Sequence, residues 1–275
     1  MQNSPFSLLR APELELSDGR AEYRAKLLAE MRVNGVVRID NIISQEMANS
    51  MLELVMDELA KAKSDVAGGI STSERFSNLL SSTNRWDMKL PWSPRLADAL
   101  RHIVRPGMPL GDLLTSLATS NGTVHELAAF VTMPGAGRQV LHADTLWSST
   151  PSVYTCTIAL QDVARRMGPT IFIPATHTRA AHRRFDAADT RRALLAESPH
   201  VLSTLAAGDA AVYDSRLLHC GGANRSDRPR VLLYLSLLHP QGPLATGRDN
   251  VANVASIRPE LAGRLTLAAL RRPAA

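Results

Sequence analysis

The rhythm of apolar and polar positions changes near residue 124. Before it, the spacing is mostly helical. Residues 21–33 (AEYRAKLLAEMRV) place Tyr23, Leu27, Leu28 and Met31 on one stripe, as an amphipathic helix does. Gly35 interrupts, and Val36 to Ile43 reads as a strand. Ser44 is placed as an N-cap, with Glu46 in the first turn where the helix dipole favours negative charge. Met47, Met51, Val55 and Leu59 then recur four apart, which predicts a helix ending near Lys63, ahead of Gly68-Gly69. Residues 70–95 hold two Trp and two Pro in polar surroundings and read as an irregular loop. A short helix is predicted over Arg95 to Ile103.

From Val124 onward strand-like runs recur: VHELAAFVTM, RQVLHADTL, VYTCTIALQDV, PTIFIPAT, DAAVYDSRLLH and RVLLYLSLL. Turn formers separate several of them, such as Pro134-Gly135, Gly168-Pro169 and Gly221-Gly222. One helical insertion, Asp186 to Glu197, interrupts the series. Short strands in series predict a sandwich or barrel. The expectation is one α+β domain over 1–275, with a loose leader over 1–20 and the β-core over 124–240.

Composition narrows the function. The 275 residues are 45% hydrophobic and 21% charged, enough to bury a core. Two cysteines exclude a disulfide scaffold and a thiolate zinc site. No run approaches the ~20 apolar residues of a membrane span, and no secretion signal is read, so the expected location is cytoplasmic, without a membrane partner. The net charge of +5 resembles a nucleic-acid signal, but only four of the 31 Lys and Arg are Lys, and the arginines lie scattered among acids. No nucleic-acid partner is expected.

The chemistry concentrates in four residues. In Leu141-His142-Ala143-Asp144 an extended chain would put His142 and Asp144 on one face. Such a pair arises often by chance, and a hydrogen-bonded strand histidine is the plainer reading of His142 alone. His219, late in the chain, adds a second imidazole. Two His and one carboxylate can occupy one face of an octahedral metal and leave three positions open, as in non-haem Fe(II) oxygenases. Arg230 follows His219 by 11 residues, across a turn-forming stretch, and opens an apolar strand whose face continues through Leu232, Tyr234, Ser236 and Leu238. There a guanidinium can grip a carboxylate bidentately.

With these residues in view, the chain resembles the phytanoyl-CoA dioxygenase-like branch of Fe(II)/2-oxoglutarate oxygenases, from about Gly35 to about Leu238. The resemblance lies in NGVVRIDNIISQEMANSML, QVLHADTLW, CTIALQDV, MGPTIFIPATH and GDAAVYDSRLLHCGGANRSDRPRVLLYLSLL. It implies a double-stranded β-helix, the jelly-roll or cupin-like sandwich, flanked by N-terminal helices. It implies Fe(II) on His142, Asp144 and His219. It implies 2-oxoglutarate with its far carboxylate on Arg230, assisted by Thr157, and O2 as the other cosubstrate. The activity implied is hydroxylation, or a related oxidation, of a small molecule, a specialised metabolite for example. Asp144 argues against halogenation, because halogenating relatives carry a small residue there. The amide that some relatives carry before the metal motif is missing. Leu127 and Val131 stand there, with His125 and Glu126 nearby, and no cosubstrate contact is assigned to them. Trp147, Arg85, Trp86 and Arg138 are candidate substrate contacts, though a core aromatic or a solvated loop arginine explains such residues as well. Two further readings are a non-catalytic binding or regulatory subunit of the same lineage and a cupin-like metal enzyme that does not use 2-oxoglutarate. The oligomeric state is not read from the sequence.

Overall fold

The computed structural model of the protein describes residues 19–77, 83–246 and 255–272. The expected 1–20 leader lies outside the described residues except for Gly19 and Arg20, which begin helix α1 (Gly19–Asn34). Gly35 ends α1 with φ +74°, the left-handed conformation that glycine adopts without a steric penalty, and its N–H donates to Met31 O at 3.0 Å. Strand β1 (Val36–Ile39) follows and is shorter than expected. Helix α2 (Gln45–Ala67) starts at Ser44, whose hydroxyl accepts from Met47 N–H at 3.1 Å. It runs past Lys63 because no breaker occurs before Gly68, whose N–H closes the last turn on Ser64 O.

The expected loop over 70–95 instead contains helix α3 (Thr72–Arg75) and strand β2 (Arg85–Lys89). Strand β2 was hidden by an inverted signal: its inward side chains are Arg85, Asp87 and Lys89, all buried. Helix α4 (Pro94–Ile103) matches the expected short helix, and α5 (Pro109–Ala118) was not anticipated. Then come β3 (Val124–Thr132), β4 (Val153–Ala159), a 3-10 turn (Arg165–Met167) and β5 (Thr170–Phe172). The single expected helical insertion is two helices, α6 (Arg179–Asp186) and α7 (Ala188–Glu197). Ala187 is extended between them, and the Thr190 hydroxyl donates to Arg184 O at 2.8 Å, satisfying a carbonyl freed where α6 stops. Strands β6 (Val201–Leu202), β7 (Ala210–Asp214), β8 (His219–Gly221) and β9 (Arg230–Leu238) follow, then α8 (Leu267–Leu270).

The strands form two antiparallel sheets, β1-β7-β4-β9-β3-β2 and β6-β5-β8. They face one another. The Tyr213 ring of the large sheet lies 5.1 Å from Phe172 and 4.8 Å from His219 of the small one, centroid to centroid. The architecture is the expected α+β jelly roll with N-terminal helices.

The large sheet is covered on both sides. Val231, Leu233, Leu235 and Leu237 of β9 join Leu127, Ala129 and Val131 of β3 in one core with Met51, Val55 and Leu59 of α2, Leu100 of α4 and Leu113 of α5. Each fully buried Leu or Val there contributes about 1.5–3 kcal/mol. The alternate residues, Arg230, Leu232, Tyr234 and Ser236, face the small sheet. The inner face is therefore the polar one.

One expected strand is not regular. The run 138–146 makes a single bridge, His142 to His219. Gln139 N–H donates to Gly221 O, but its side-chain Oε1, not its backbone carbonyl, accepts from Gly221 N–H at 2.7 Å. Four residues from Gln139 to His142 oppose three from Gly221 to His219, so a continuous ladder cannot form.

Candidate metal centre

His142 and His219 lie opposite each other and exchange both backbone hydrogen bonds, at 3.0 and 2.8 Å. Asp144 follows where the chain bends away, its N–H donating to Ser215 O at 2.8 Å. The three side chains converge. Asp144 Oδ1 is 3.5 Å from His142 Nε2 and 3.6 Å from His219 Nε2, and the set of potential ligand atoms fits within 4.8 Å. The two histidines are held alike. His142 Nδ1 lies 2.8 Å from Val140 O, and His219 Nδ1 lies 2.9 Å from Leu217 O. A carbonyl only accepts, so each Nδ1 carries the proton and each Nε2 keeps its lone pair for a metal.

Electrostatics suits the same use. Burial pushes the Asp144 carboxyl upward, but His219, His142 and the Tyr213 hydroxyl outweigh it, and the group stays below the ordinary carboxylate value. Burial lowers the His219 pKa, only partly opposed by Asp144, which keeps that imidazole neutral. Burial also acts downward on His142, but its hydrogen bond to Asp144 prevails and raises it, so a proton competes with a metal there. Two neutral-capable imidazoles and one carboxylate fit a divalent transition metal with open positions.

Arg230 is 2% exposed, on the inner face. It donates to Gly168 O and, at 3.1 Å, to Thr132 Oγ1. The register sets Thr157 apart from it. Thr157 pairs with Tyr234, four residues along β9, roughly 13 Å at strand rise. The hydroxyl beside Arg230 is that of Thr132, on a strand whose register with β9 no single sequence reveals. Arg85 joins this group, donating to Thr132 Oγ1 at 3.1 Å. Trp86 points to the other face of β2, against the helical core and under Lys63 Nζ at 3.8 Å, because side chains alternate along a strand. Arg138 lies behind the small sheet, its Nε 3.3 Å from Cys220 Sγ, on the side opposite His219. There it lines an outer cavity of about 470 Å³ with Arg165, Arg166 and Arg225. Trp147 is half-buried beneath Arg179 of α6, 5.5 Å from ring to guanidinium.

The sequence reading missed several inward polar groups. Tyr213 OH donates to Asp144 Oδ2 at 3.4 Å. Tyr234 OH donates to Asp87 Oδ1 at 2.7 Å, and the Ser256 hydroxyl to Asp87 Oδ2 at 2.5 Å. Glu126 accepts from Ser236 Oγ. A register shift between Val124 and Glu126 leaves His125 as an extra residue, so side chains do not alternate strictly between the two faces there. Burial raises Asp87 to about 6 and Glu126 to about 8.

These raised values predict a pH dependence. Folded Glu126 keeps a proton that the unfolded chain releases near its ordinary 4.5. Its contribution to stability is therefore full below about 4.5 and is lost as pH rises towards about 8. Urea unfolding of metal-free protein at pH 5 and pH 8 should show Glu126→Gln gaining on wild type as pH rises. Parallel pH profiles would refute the assignment.

No helix among the described residues is long and apolar enough to cross a membrane. The sequence profile of the phytanoyl-CoA dioxygenase family matches residues 31–232. No curated protein sequence matches the chain. Among solved structures, the non-heme alpha ketoglutarate dependent carbocyclase SnoK from nogalamycin biosynthesis is similar, with 20% identity and TM-score 0.61 over 83% of this chain and 92% of that one. The epimerase SnoN of the same biosynthesis has 22% identity and TM-score 0.55 over 79% and 84%. AviO1 from Streptomyces viridochromogenes Tue57 has 19% identity and TM-score 0.56 over 80% and 96%. At these identities the likeness is one of fold.

Proposed function

The chain belongs to the phytanoyl-CoA dioxygenase family, and from that premise we propose that it is a non-haem Fe(II)- and 2-oxoglutarate-dependent dioxygenase that hydroxylates an unactivated C–H bond of a small molecule. The observation that carries the proposal is the convergence of His142, Asp144 and His219 within 4.8 Å, both imidazoles offering Nε2. The reading takes the chain as one oxygenase domain with its metal-binding core over 124–240.

When bound, Fe(II), 2-oxoglutarate and O2 together supply an oxidant for a C–H bond, with succinate and CO2 released. The chain's residues do the rest. His142, Asp144 and His219 would fix the metal on one side and leave the opposite positions free. Tyr213 holds one Asp144 oxygen, as outer partners of metal ligands do. Arg230 would take the far carboxylate of the cosubstrate. Arg230 is buried on the inner face, and the limited access of water there strengthens a charge contact made to it.

Support for a small-molecule substrate comes from the solved relatives, which include SnoN in complex with Fe3+, alpha ketoglutarate and nogalamycin RO. Hydroxylation is the reading preferred here, while carbocyclase and epimerase activities on the same fold make ring closure and epimerisation its rivals. The test is anaerobic. Fe(II) and then 2-oxoglutarate are added, and the visible spectrum is recorded. A weak metal-to-ligand charge-transfer band is expected. Its absence from folded protein would favour a binding subunit or a cupin-like enzyme that does not use 2-oxoglutarate.

A further inference from the structure

Behind the small sheet, on the face opposite His219, four arginines border one volume. Arg138, Arg165, Arg166 and Arg225 line the outer cavity of about 470 Å³, and no acidic residue lines it with them. Among the described residues none of the four pairs with a carboxylate. The chain as a whole sets 26 acids against 31 Lys and Arg, so four arginines without an acid are a local excess. The floor is apolar. Ile171 of β5 and Leu202 of β6 are register partners, both half-buried, and lie there beside Pro169.

The backbone holds these arginines together against their mutual repulsion. They come from three segments far apart in sequence. Arg165 and Arg166 sit on the 3-10 turn before β5, and Arg225 on the turn between β8 and β9. Arg225 N–H donates to Arg166 O at 2.8 Å and Gly222 N–H to Pro169 O at 3.2 Å, which ties the two turns to each other. Gly168, at φ +70°, permits the approach, since a Cβ there would meet Ala223 O at 2.5 Å. Arg138 enters from a third side, its Nε donating to Cys220 Sγ at 3.3 Å. Like charges gathered around a concave site with apolar walls focus a positive field inside it. The volume lies within the range of about 300–1,000 Å³ usual for small-molecule pockets.

We propose that this outer cavity binds a small molecule through a diphosphate group. A guanidinium fork suits phosphate and carboxylate oxygens alike. A carboxylate is planar and occupies one fork. A diphosphate gathers several negative charges in one compact group and presents acceptor oxygens in several directions, as arginines arriving from three sides require. The rest of the molecule lies on Ile171 and Leu202. The site is separate from the metal centre, because His219 points to the other face of the small sheet, towards Tyr213. It does not rest on the dioxygenase reading.

Titration calorimetry on the full chain at low ionic strength tests the site, with metal removed because diphosphate would chelate it. The probes are pyrophosphate, ADP, malonate and a short single-stranded DNA. Pyrophosphate and ADP should each bind at least about tenfold tighter than malonate. The double variant Arg165→Gln/Arg225→Gln should weaken both roughly tenfold or more, as for lost charge-assisted bonds. Both replaced side chains are exposed, so the fold should be kept, and Arg165→Gln alone should show a smaller loss in the same direction. Arg95→Gln removes an exposed charge on α4, outside the cavity, and should change neither affinity. No binding of pyrophosphate, equal binding of malonate, or equal weakening by Arg95→Gln overturns the proposal. Pyrophosphate bound with ADP excluded overturns it too, leaving a site for a bare anion. DNA bound more tightly than ADP overturns it in favour of a nucleic-acid contact.

Discussion

Asp144→Ala should lower Fe(II) affinity by at least about 100-fold and remove the 2-oxoglutarate band. Loss of an outer partner alone costs 10–100-fold in typical metal sites, and Asp144 is itself the anionic member of the set. Its carboxylate lies 3.5 and 3.6 Å from the two imidazole Nε2 atoms, so its loss leaves two neutral nitrogens facing one another. The variant should fold. The Asp144 side chain is 29% exposed, and its backbone bond to Ser215 O does not depend on it. Thermal unfolding of metal-free protein should then move little, while an anaerobic Fe(II) titration moves far. Affinity kept within about threefold would place the metal elsewhere.

Asp209→Ala should have the largest effect on stability, about 3 kcal/mol, because it breaks a buried ion pair from one side. Asp209 is 1% exposed and meets Arg38 Nη2 of β1. Its two oxygens also accept from Asn41 N–H at 3.0 Å and Ala206 N–H at 2.9 Å. Removing the carboxylate orphans three donors together and loosens the contact between the turn after β1 and the turn before β7. A fall of roughly 10 °C in the thermal midpoint is expected. Asp209→Asn, which keeps one oxygen acceptor, should lose less. A change under about 1 kcal/mol in urea unfolding would show that Arg38, still held by Asp40 at 2.5 Å, carries the pair alone.

The candidate ligands were legible because their chemistry is local. His142 and Asp144 needed only two residues of extended chain. His219 and Arg230 needed a turn between them and an apolar strand after it, which β8 and β9 supply. The surroundings of Arg230 were not legible in the same way. Arg85 sits on a strand whose charged residues point inward, so the usual equation of polar with exposed hid β2 inside a supposed loop. Thr132 and Thr157 are equally good strand residues in sequence. Only the pairing of β3 and β4 with β9 decides which of them stands beside Arg230. The register shift at His125 carries no sequence mark either, since no glycine or proline announces it. Helix α5 was passed over because Met108 before it offers no side-chain cap.

The two-sidedness of β9 has an evolutionary consequence. Its odd-numbered residues, from Val231 to Leu237, answer to the helices, and its even-numbered residues answer to the space between the two sheets. Selection can therefore revise one set without reopening the other. Leu232, which packs with Phe130 on the inner face, can change size or polarity while Leu233 and Leu235 go on holding the helices. A lineage built on such a strand can acquire new substrates at little cost in folding, with mutational tolerance alternating along the chain at a period of two.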